Sequence, residues 1–338
     1  MSPPSQFSEV HHYNYFLVPQ THLGKLASSN PRQGALLRFS FSDGSTGYSD
    51  CHPWTELGDF PLSEQLDLLK SWQFTHLTRR SGEFARADAQ SRLLGRSLWD
   101  RLTVPPSHKF WPDVLNLHRE EILSWKKEGF TRAKFKVGSA PAAEAAVLAR
   151  FALFFEEYSI RIRLDFNSLL TRVEFEEFIE RLGSARRFID FVEDPIPYDS
   201  KTWTQIQRNC EIRLALDRLP PGRFHELDAE AISVFIIKPA FQDPEPIVDL
   251  AKNWGKTVVV TSYLDHPIGQ LSAAWTSAQI AARDPECVEV CGLLSHLAYR
   301  PNEFSEQLNT QGAQLIPSVE LGFGMTKLLE NLPWKPLV

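Results

Sequence analysis

The 338-residue chain holds only four cysteines, Cys51, Cys210, Cys287 and Cys291. No two stand in C-x-x-C spacing, and Cys287 and Cys291 have no second half-site with which to hold zinc. Four scattered thiols suit reduced, structural cysteines in a cytoplasmic protein. The N-terminus lacks a basic stretch followed by an apolar one, so no signal peptide is expected. No apolar run reaches the ~18–20 residues of a membrane span. Positive charge is also in short supply. The net charge is −6, which favours solubility and gives no reason to expect a nucleic-acid partner. No glycine fingerprint follows an early strand, and Gly44-Ser45-Thr46-Gly47 is a turn, not a nucleophile elbow. The histidines form no H-E-x-x-H motif and no spaced cluster, so they read as surface or packing residues.

What is present is an ordinary globular composition, 43% hydrophobic and 23% charged, long enough for about two domains or one large barrel with additions. Residues 9–50 carry β-rich runs with a hairpin signal at Asp43–Gly47, and residues 62–100 have helical periodicity. Together they predict an α+β unit over 1–105, closed by Thr103-Val-Pro-Pro-Ser107. The polar stretch 22–33 is long for a hairpin connection, as lids are.

From 106 to 300 strands and helices alternate. Strands are expected at 109–111, 131–137, 160–166, 188–193, 212–217, 233–238 and 257–261, with a weaker one at 288–291. Helices are expected at 112–128, 141–158, 173–182, 200–208, 224–229, 246–254 and 267–282. Repeated βα units imply a parallel sheet, and eight of them suit a closed barrel. An open doubly wound sheet is the second choice. Residues 301–338 form a C-terminal segment.

The chemistry collects at the ends of these strands. In Thr131-Arg-Ala-Lys-Phe-Lys-Val-Gly138, Lys134 and Lys136 share one face. An edge strand with two solvated lysines would explain that pair by itself. Downstream, however, Asp165, Glu193, Asp217 and Lys238 end four consecutive strands. They are spaced by 28, 24 and 21 residues, each about one βα unit. A lone carboxylate after a strand is as often a helix cap. Three at equivalent ends would converge in a low-dielectric mouth, where they cannot all stay ionised without a cation. Three oxygen donors without histidine or cysteine suit Mg²⁺, with Mn²⁺ as a substitute. A divalent cation of this kind can stabilise an enediolate while a lysine of lowered pKa removes an α-proton.

The ordered set Lys-x-Lys, Asp-x-Asn, Glu, Asp, Lys resembles the enolase superfamily. Ala-Lys-Phe-Lys-Val-Gly138 with Arg163-Leu-Asp-Phe-Asn167 is similar, more narrowly, to the o-succinylbenzoate synthase family of menaquinone biosynthesis. The resemblance is strongest over residues 130–270. It implies a (β/α)7β barrel with an α+β cap built from the N-terminal region and the C-terminal tail. Residues 20–33 and Pro53-Trp54 would then cover a small-molecule carboxylate substrate. It further implies Asp165, Glu193 and Asp217 as Mg²⁺ ligands and Lys136 as acid–base in a syn dehydration. Lys238 would face it across the ring, and Lys134 would tune Lys136 and contact carboxylate. Asn167 would support the metal site and Ser262 would bind substrate. Arg163 shares the parity of Asp165 and would brace it, whereas Asp194 has the opposite parity and reads as structural.

The N-terminal region carries little of the family's pattern. Residues 287–294 lack the Asp-x-Asp of dipeptide epimerases. An N-acylamino acid racemase would keep the same two lysines on opposite faces, so that alternative stays open. A Schiff-base aldolase using Lys136 or Lys238 has no need of three carboxylates. A non-catalytic protein on this scaffold would normally have lost some of these polar residues. The outer helix faces show no apolar seam that decides between monomer and homo-oligomer.

Overall fold

The computed structural model describes residues 7–20, 23, 30–217 and 224–337. The chain opens with three antiparallel strands, β1 (Phe7–Leu17), β2 (Arg32–Phe41) and β3 (Thr46–Cys51). The β2–β3 turn places Gly44 at φ +80, a conformation that costs a residue without Cβ little. Asp43 Oδ1 accepts the Ser45 N–H at 3.0 Å within it. Helices α1 (Leu62–Lys70) and α2 (His76–Leu93) follow. Thr75 starts α2 by accepting the Thr78 N–H, the side-chain cap that such an end requires. α2 lies directly on β3: a Cβ on Gly47 would come within 1.9 Å of the Ala85 carbonyl oxygen.

A seven-stranded parallel sheet comes next. It runs β4 (Lys109–Trp111), β5 (Arg132–Lys136), β6 (Arg161–Asp165), β7 (Ile189–Glu193), β8 (Leu214–Leu216), β9 (Val234–Ile237) and β10 (Thr257–Val260), neighbours in that order. The weak eighth strand is present as isolated parallel bridges. Val288 and Gly292 bridge to Val258 and Thr261, and Cys291 bridges to Ser107 just before β4. Residues 288–292 thereby join the last strand to the first and curl the sheet into a barrel. β5 lies inside this ring between β4 and β6, so its lysines are not on an edge.

The outer helices are α3 (Arg119–Lys127), α4 (Pro141–Arg150), α5 (Ala152–Glu157), α6 (Arg172–Arg181), α7 (Ser200–Cys210), α8 (Pro244–Asn253) and α9 (Pro267–Arg283). Three expected helices differ. The 112–128 segment divides into a 3-10 turn at Val114–Asn116 and α3. The alanine-rich helix breaks at Phe151, whose φ of −91 and ψ of 5 leave the helical region. The connection from β8 to β9 contains only a 3-10 turn, Phe224–Glu226, among its described residues.

The tail holds a hairpin, β11 (Asn309–Gln311) and β12 (Gln314–Ile316), then α10 (Thr326–Glu330) and β13 (Lys335–Pro336). β13 pairs with β1, so the tail completes the cap's sheet in the order β13-β1-β2-β3. All four cysteines are buried and free. Among the described residues no helix is long and apolar enough to cross a membrane.

Polar contacts tie cap to barrel. The Trp54 indole N–H donates to the Tyr263 carbonyl at 2.8 Å, and the Tyr263 hydroxyl reaches Asp59 at 2.9 Å. The backbone N–H of His266 donates to Asp50 at 3.1 Å. One carboxylate adds to the β1–β13 pairing in holding the tail. Fully buried Asp88 on α2 accepts the backbone N–H of Tyr48 at 3.0 Å and of Phe323 at 2.8 Å, and pairs with Arg92 at 2.7 Å. Removing it strands two backbone donors and a cation in the core. Asp88→Ala should therefore lose about 3–5 kcal/mol, read as an earlier midpoint in urea unfolding. A loss below about 1 kcal/mol would show that packing and the β1–β13 pairing hold the tail without it.

Candidate functional site

The β5 strand ends where its sequence says it should. Gly138 sits at φ +99, which L side chains rarely adopt, and turns the chain off the barrel. Buried Glu144 then accepts the N–H groups of Gly138 at 2.6 Å and of Ser139 and Ala140 at 3.2 Å. Strand pairing sets Lys136 opposite Asp165, and Asp165 opposite Glu193. Three neighbouring strands thus deliver a lysine and two carboxylates to one level of the barrel mouth.

The ammonium of Lys134 bridges two of the carboxylates, 2.8 Å from Asp165 and 2.7 Å from Glu193. Lys136 Nζ lies 2.6 Å from Asp165 and donates to Asn167 Oδ1 at 3.1 Å. Lys238, just past β9, pairs with Asp217. Burial works against Lys134 carrying charge, but Asp165 and Glu193 outweigh it and hold its pKa above the usual lysine value. Burial likewise opposes ionisation of Asp165, and Lys134 and Lys136 outweigh it and keep that carboxyl far below the ordinary range. Glu193 is pushed up to about 7, by burial first and then by Asp165. The mouth therefore sets three lysines against three carboxylates so closely that one carboxyl resists ionising.

All nine residues singled out in the sequence are in the barrel, but not all in one role. Lys134, Lys136, Asp165, Lys238 and Ser262 line a common cavity of about 350 Å³. Glu193 and Asp217 lie behind that lining. Asn167, at φ 48, reaches Lys136 with its side chain and Asp165 Oδ1 with its backbone N–H at 3.2 Å. Arg163 does not brace Asp165. It is buried one step lower, donating to Asp190 at 2.8 Å, to the Val290 carbonyl at 2.6 Å and to His108 Nδ1 at 3.0 Å. Strand parity fixes which face a residue takes, not which partner it meets at that depth. Trp54, expected over the substrate, is instead buried in the cap–barrel seam, with Arg32 stacked 3.5 Å from its ring. Of the expected lid, Gln20 lines the cavity, while residues 21, 22 and 24–29 lie outside the described residues.

Two residues read as structural or surface do more. Asp194 Oδ1 accepts the backbone N–H of Asp217 at 3.2 Å and so sets that residue's position. His108 is buried and lines the cavity. The signal for His108 was the strand immediately after it, which places residue 108 at the barrel wall.

Whether these residues suit a metal ion can be judged from the donors. Among the described residues, no three Asp, Glu, His or Cys side chains are gathered closely enough to hold one as they stand. Lysine ammonium groups lie between the carboxylates instead. Yet the three donors end consecutive strands and are all hard oxygens. Buried Asp217 Oδ1 has no hydrogen-bond partner, and burial together with the neighbouring Asp165 pushes Glu193 towards its neutral form. The donor set fits a hard divalent cation that would replace the Lys134 bridge.

Fold and site together define a parallel α/β-barrel enzyme with its charged groups at the C-terminal mouth. The family model for the O-succinylbenzoate synthase N-terminal domain matches residues 10–91, and that for the enolase C-terminal domain-like family matches residues 118–327. A curated o-succinylbenzoate synthase of Bdellovibrio bacteriovorus is 32% identical over 96% of this chain and 97% of its own length. A member of the enolase superfamily from Roseovarius nubinhibens, solved with magnesium, superposes with a TM-score of 0.76 at 15% identity, covering 98% of each chain. A dipeptide epimerase from Enterococcus faecalis, complexed with magnesium and a dipeptide, gives 0.73 at 16% identity over 94% of this chain and 99% of its own. The chain belongs to the enolase superfamily and, within it, to the o-succinylbenzoate synthase family, a family of carbon–oxygen lyases. The match over 10–91 corrects the impression that the N-terminal region departs from the family.

Arg163 supplies a test of the layer below the site. Asp190 is opposed by burial but held below the ordinary carboxylate range by Arg163 and, beyond it, Arg132. Its pairing stabilises the fold above the unfolded carboxyl pKa and is lost on acidification. Arg163→Met should cost about 3–5 kcal/mol near neutral pH. The deficit should shrink below about pH 4 as Asp190 becomes protonated. Denaturant melts at both pH values check this, and a deficit that does not change with pH would assign the loss to packing.

Proposed function

We propose that this chain is an o-succinylbenzoate synthase. It dehydrates 2-succinyl-6-hydroxy-2,4-cyclohexadiene-1-carboxylate to o-succinylbenzoate and water, in the cytoplasm, as a step of menaquinone biosynthesis. The observation that carries the reading is the placement of Lys136 and Lys238. They come from β5 and from the end of β9, well apart around the ring, and line the same cavity with Ser262.

In this reading Lys136 removes the α-proton beside the ring carboxylate and returns it to the departing hydroxyl on the same face. Dehydration in that sense needs one acid–base group. Asn167 holds the Lys136 ammonium at 3.1 Å and aims it. Lys238 contributes positive charge on the opposite face, where the enediolate develops, by charge and by cation–π attraction. Lys134 balances Asp165 and Glu193 and keeps the local field positive at Lys136. Ser262 borders the bound substrate. Asp165, Glu193 and Asp217 would hold Mg²⁺, with Asp194 orienting Asp217 from behind. When bound, the cation supplies charge stabilisation for the substrate carboxylate.

The assay uses purified protein with Mg²⁺ and the cyclohexadiene carboxylate, followed by its absorbance change. Turnover should vanish with EDTA and return with Mg²⁺. Lys136→Ala should lower it by about 10²–10⁴-fold, the usual contribution of a general acid–base. Well-folded protein that turns over no cyclohexadiene carboxylate would sink the synthase reading. Two lysines on opposite faces also suit racemisation, so α-proton exchange in D₂O with N-acylamino acids and dipeptides separates the racemase or epimerase alternative.

A further inference from the structure

The turn that follows β9 carries Lys238, and its backbone is held from two directions. The ladder with β10 ends at Ile237, whose carbonyl accepts the Thr261 N–H at 2.9 Å. Beyond it the chain turns at once. The Lys238 carbonyl accepts the N–H groups of Phe241 and Gln242, each at 2.9 Å. The Gln242 side chain is 5% exposed and folds back to accept the Lys238 N–H at 3.1 Å. Both backbone groups of Lys238 are therefore engaged inside the turn 238–242.

The second hold comes from the cap. Arg80 lies on α2, and its Nε donates to the Pro239 carbonyl at 2.9 Å. An arginine on a helix with a glutamate three residues further on would ordinarily leave its head in water and pair there. Arg80 does pair with Glu83, yet its side chain is only 13% exposed. Its guanidinium carbon lies 4.9 Å from the centre of the Phe84 ring. Helix, glutamate and ring together fix the direction of the Nε–H. Phe241 of the same turn packs on His76 at the start of α2, with ring centres 5.8 Å apart. A lysine ammonium rides on a flexible four-carbon stem, so its place is only as well defined as the backbone that carries it. Small displacements of a reacting group are costly in rate.

We propose that Arg80 is a positioning residue for Lys238: by holding the Pro239 carbonyl, the cap sets where the Lys238 ammonium stands across the cavity from Lys136. This rests on the role given to Lys238 above. Arg80 itself does not line the cavity and takes no part in proton transfer. The cap thereby contributes to the chemistry as well as covering it.

The test compares two near-isosteric changes in steady-state dehydration with Mg²⁺. Arg80→Met puts a methyl group where the Nε–H stands. Arg80→Gln keeps a donor at that point and removes the rest of the guanidinium. Arg80→Met should lower kcat by about tenfold with KM within a few-fold, and Arg80→Gln should recover most of the loss. Arg80→Leu, which also lacks the donor, replaces the methionine variant if that protein does not fold. Gln242→Met loosens the same backbone from the other side and should give the same kcat loss. Because both changes act on one lysine, their effects should not simply multiply in the double variant. A kcat unchanged by Arg80→Met, a glutamine variant no better than methionine, or effects that multiply would overturn the positioning role and leave the synthase reading intact. Lys238→Ala as fast as wild type would remove the role of Lys238 and this one with it. Wild type without turnover would remove the substrate assignment and the positioning role together.

Discussion

The structure depends on charge confined to the mouth of a closed ring. Alternation along β5 turns both Lys134 and Lys136 inward, and the same alternation on β6 and β7 turns Asp165 and Glu193 towards them. Largely removed from bulk solvent, these groups must neutralise one another or be met by a bound ion. Much of the surrounding architecture serves that requirement. Glu144 ties down the β5–α4 turn, Gly138 lets the chain leave the strand abruptly, and Asp194 sets the height of Asp217.

Beneath the mouth lies a second polar layer of a different kind. Arg163, Asp190, Glu289 and His108 form a network with its donors largely spent on protein acceptors. It is sited on the apolar floor made by Phe191, Ala215, Val234, Ile236 and Val259. A hydrogen-bonded layer of this kind is rigid, and a rigid floor holds the lysines above it in place. The cap acts from the other side. It is joined to the β10–α9 loop through Trp54, Asp59 and Asp50, and the tail is drawn into it by Asp88 and β13. The loop that carries Ser262 is therefore braced by the cap that closes over it.

Much of this was legible in the chain. The seven full strands were recoverable because β-rich runs alternate with helical periods at a regular interval. The charged residues at their ends stood out because they repeat at that same interval. What could not be read was depth and reach. Arg163 shares the parity of Asp165 but turns to Asp190, since its long side chain finds the lower layer first. Trp54 was expected over the substrate yet is spent on the Tyr263 carbonyl. His108 has no motif to mark it, and only ring closure through residues 288–292 brings it beside Gly292 and Thr261.

By itself, then, the sequence determined the periodic content: which residues face inward, which strand ends carry charge, and hence the barrel and its ring of charged strand ends. Those properties are local, because backbone geometry alone sets the period of two along a strand and the length of a βα unit. Only the tertiary structure decided which inward charges pair, that Lys134 bridges Asp165 and Glu193 while Lys136 leans on Asn167, and that a histidine with no sequence neighbour of note lines the cavity. These depend on how far each strand is staggered against the next around a closed ring. That stagger comes from packing the whole barrel, and no single segment encodes it.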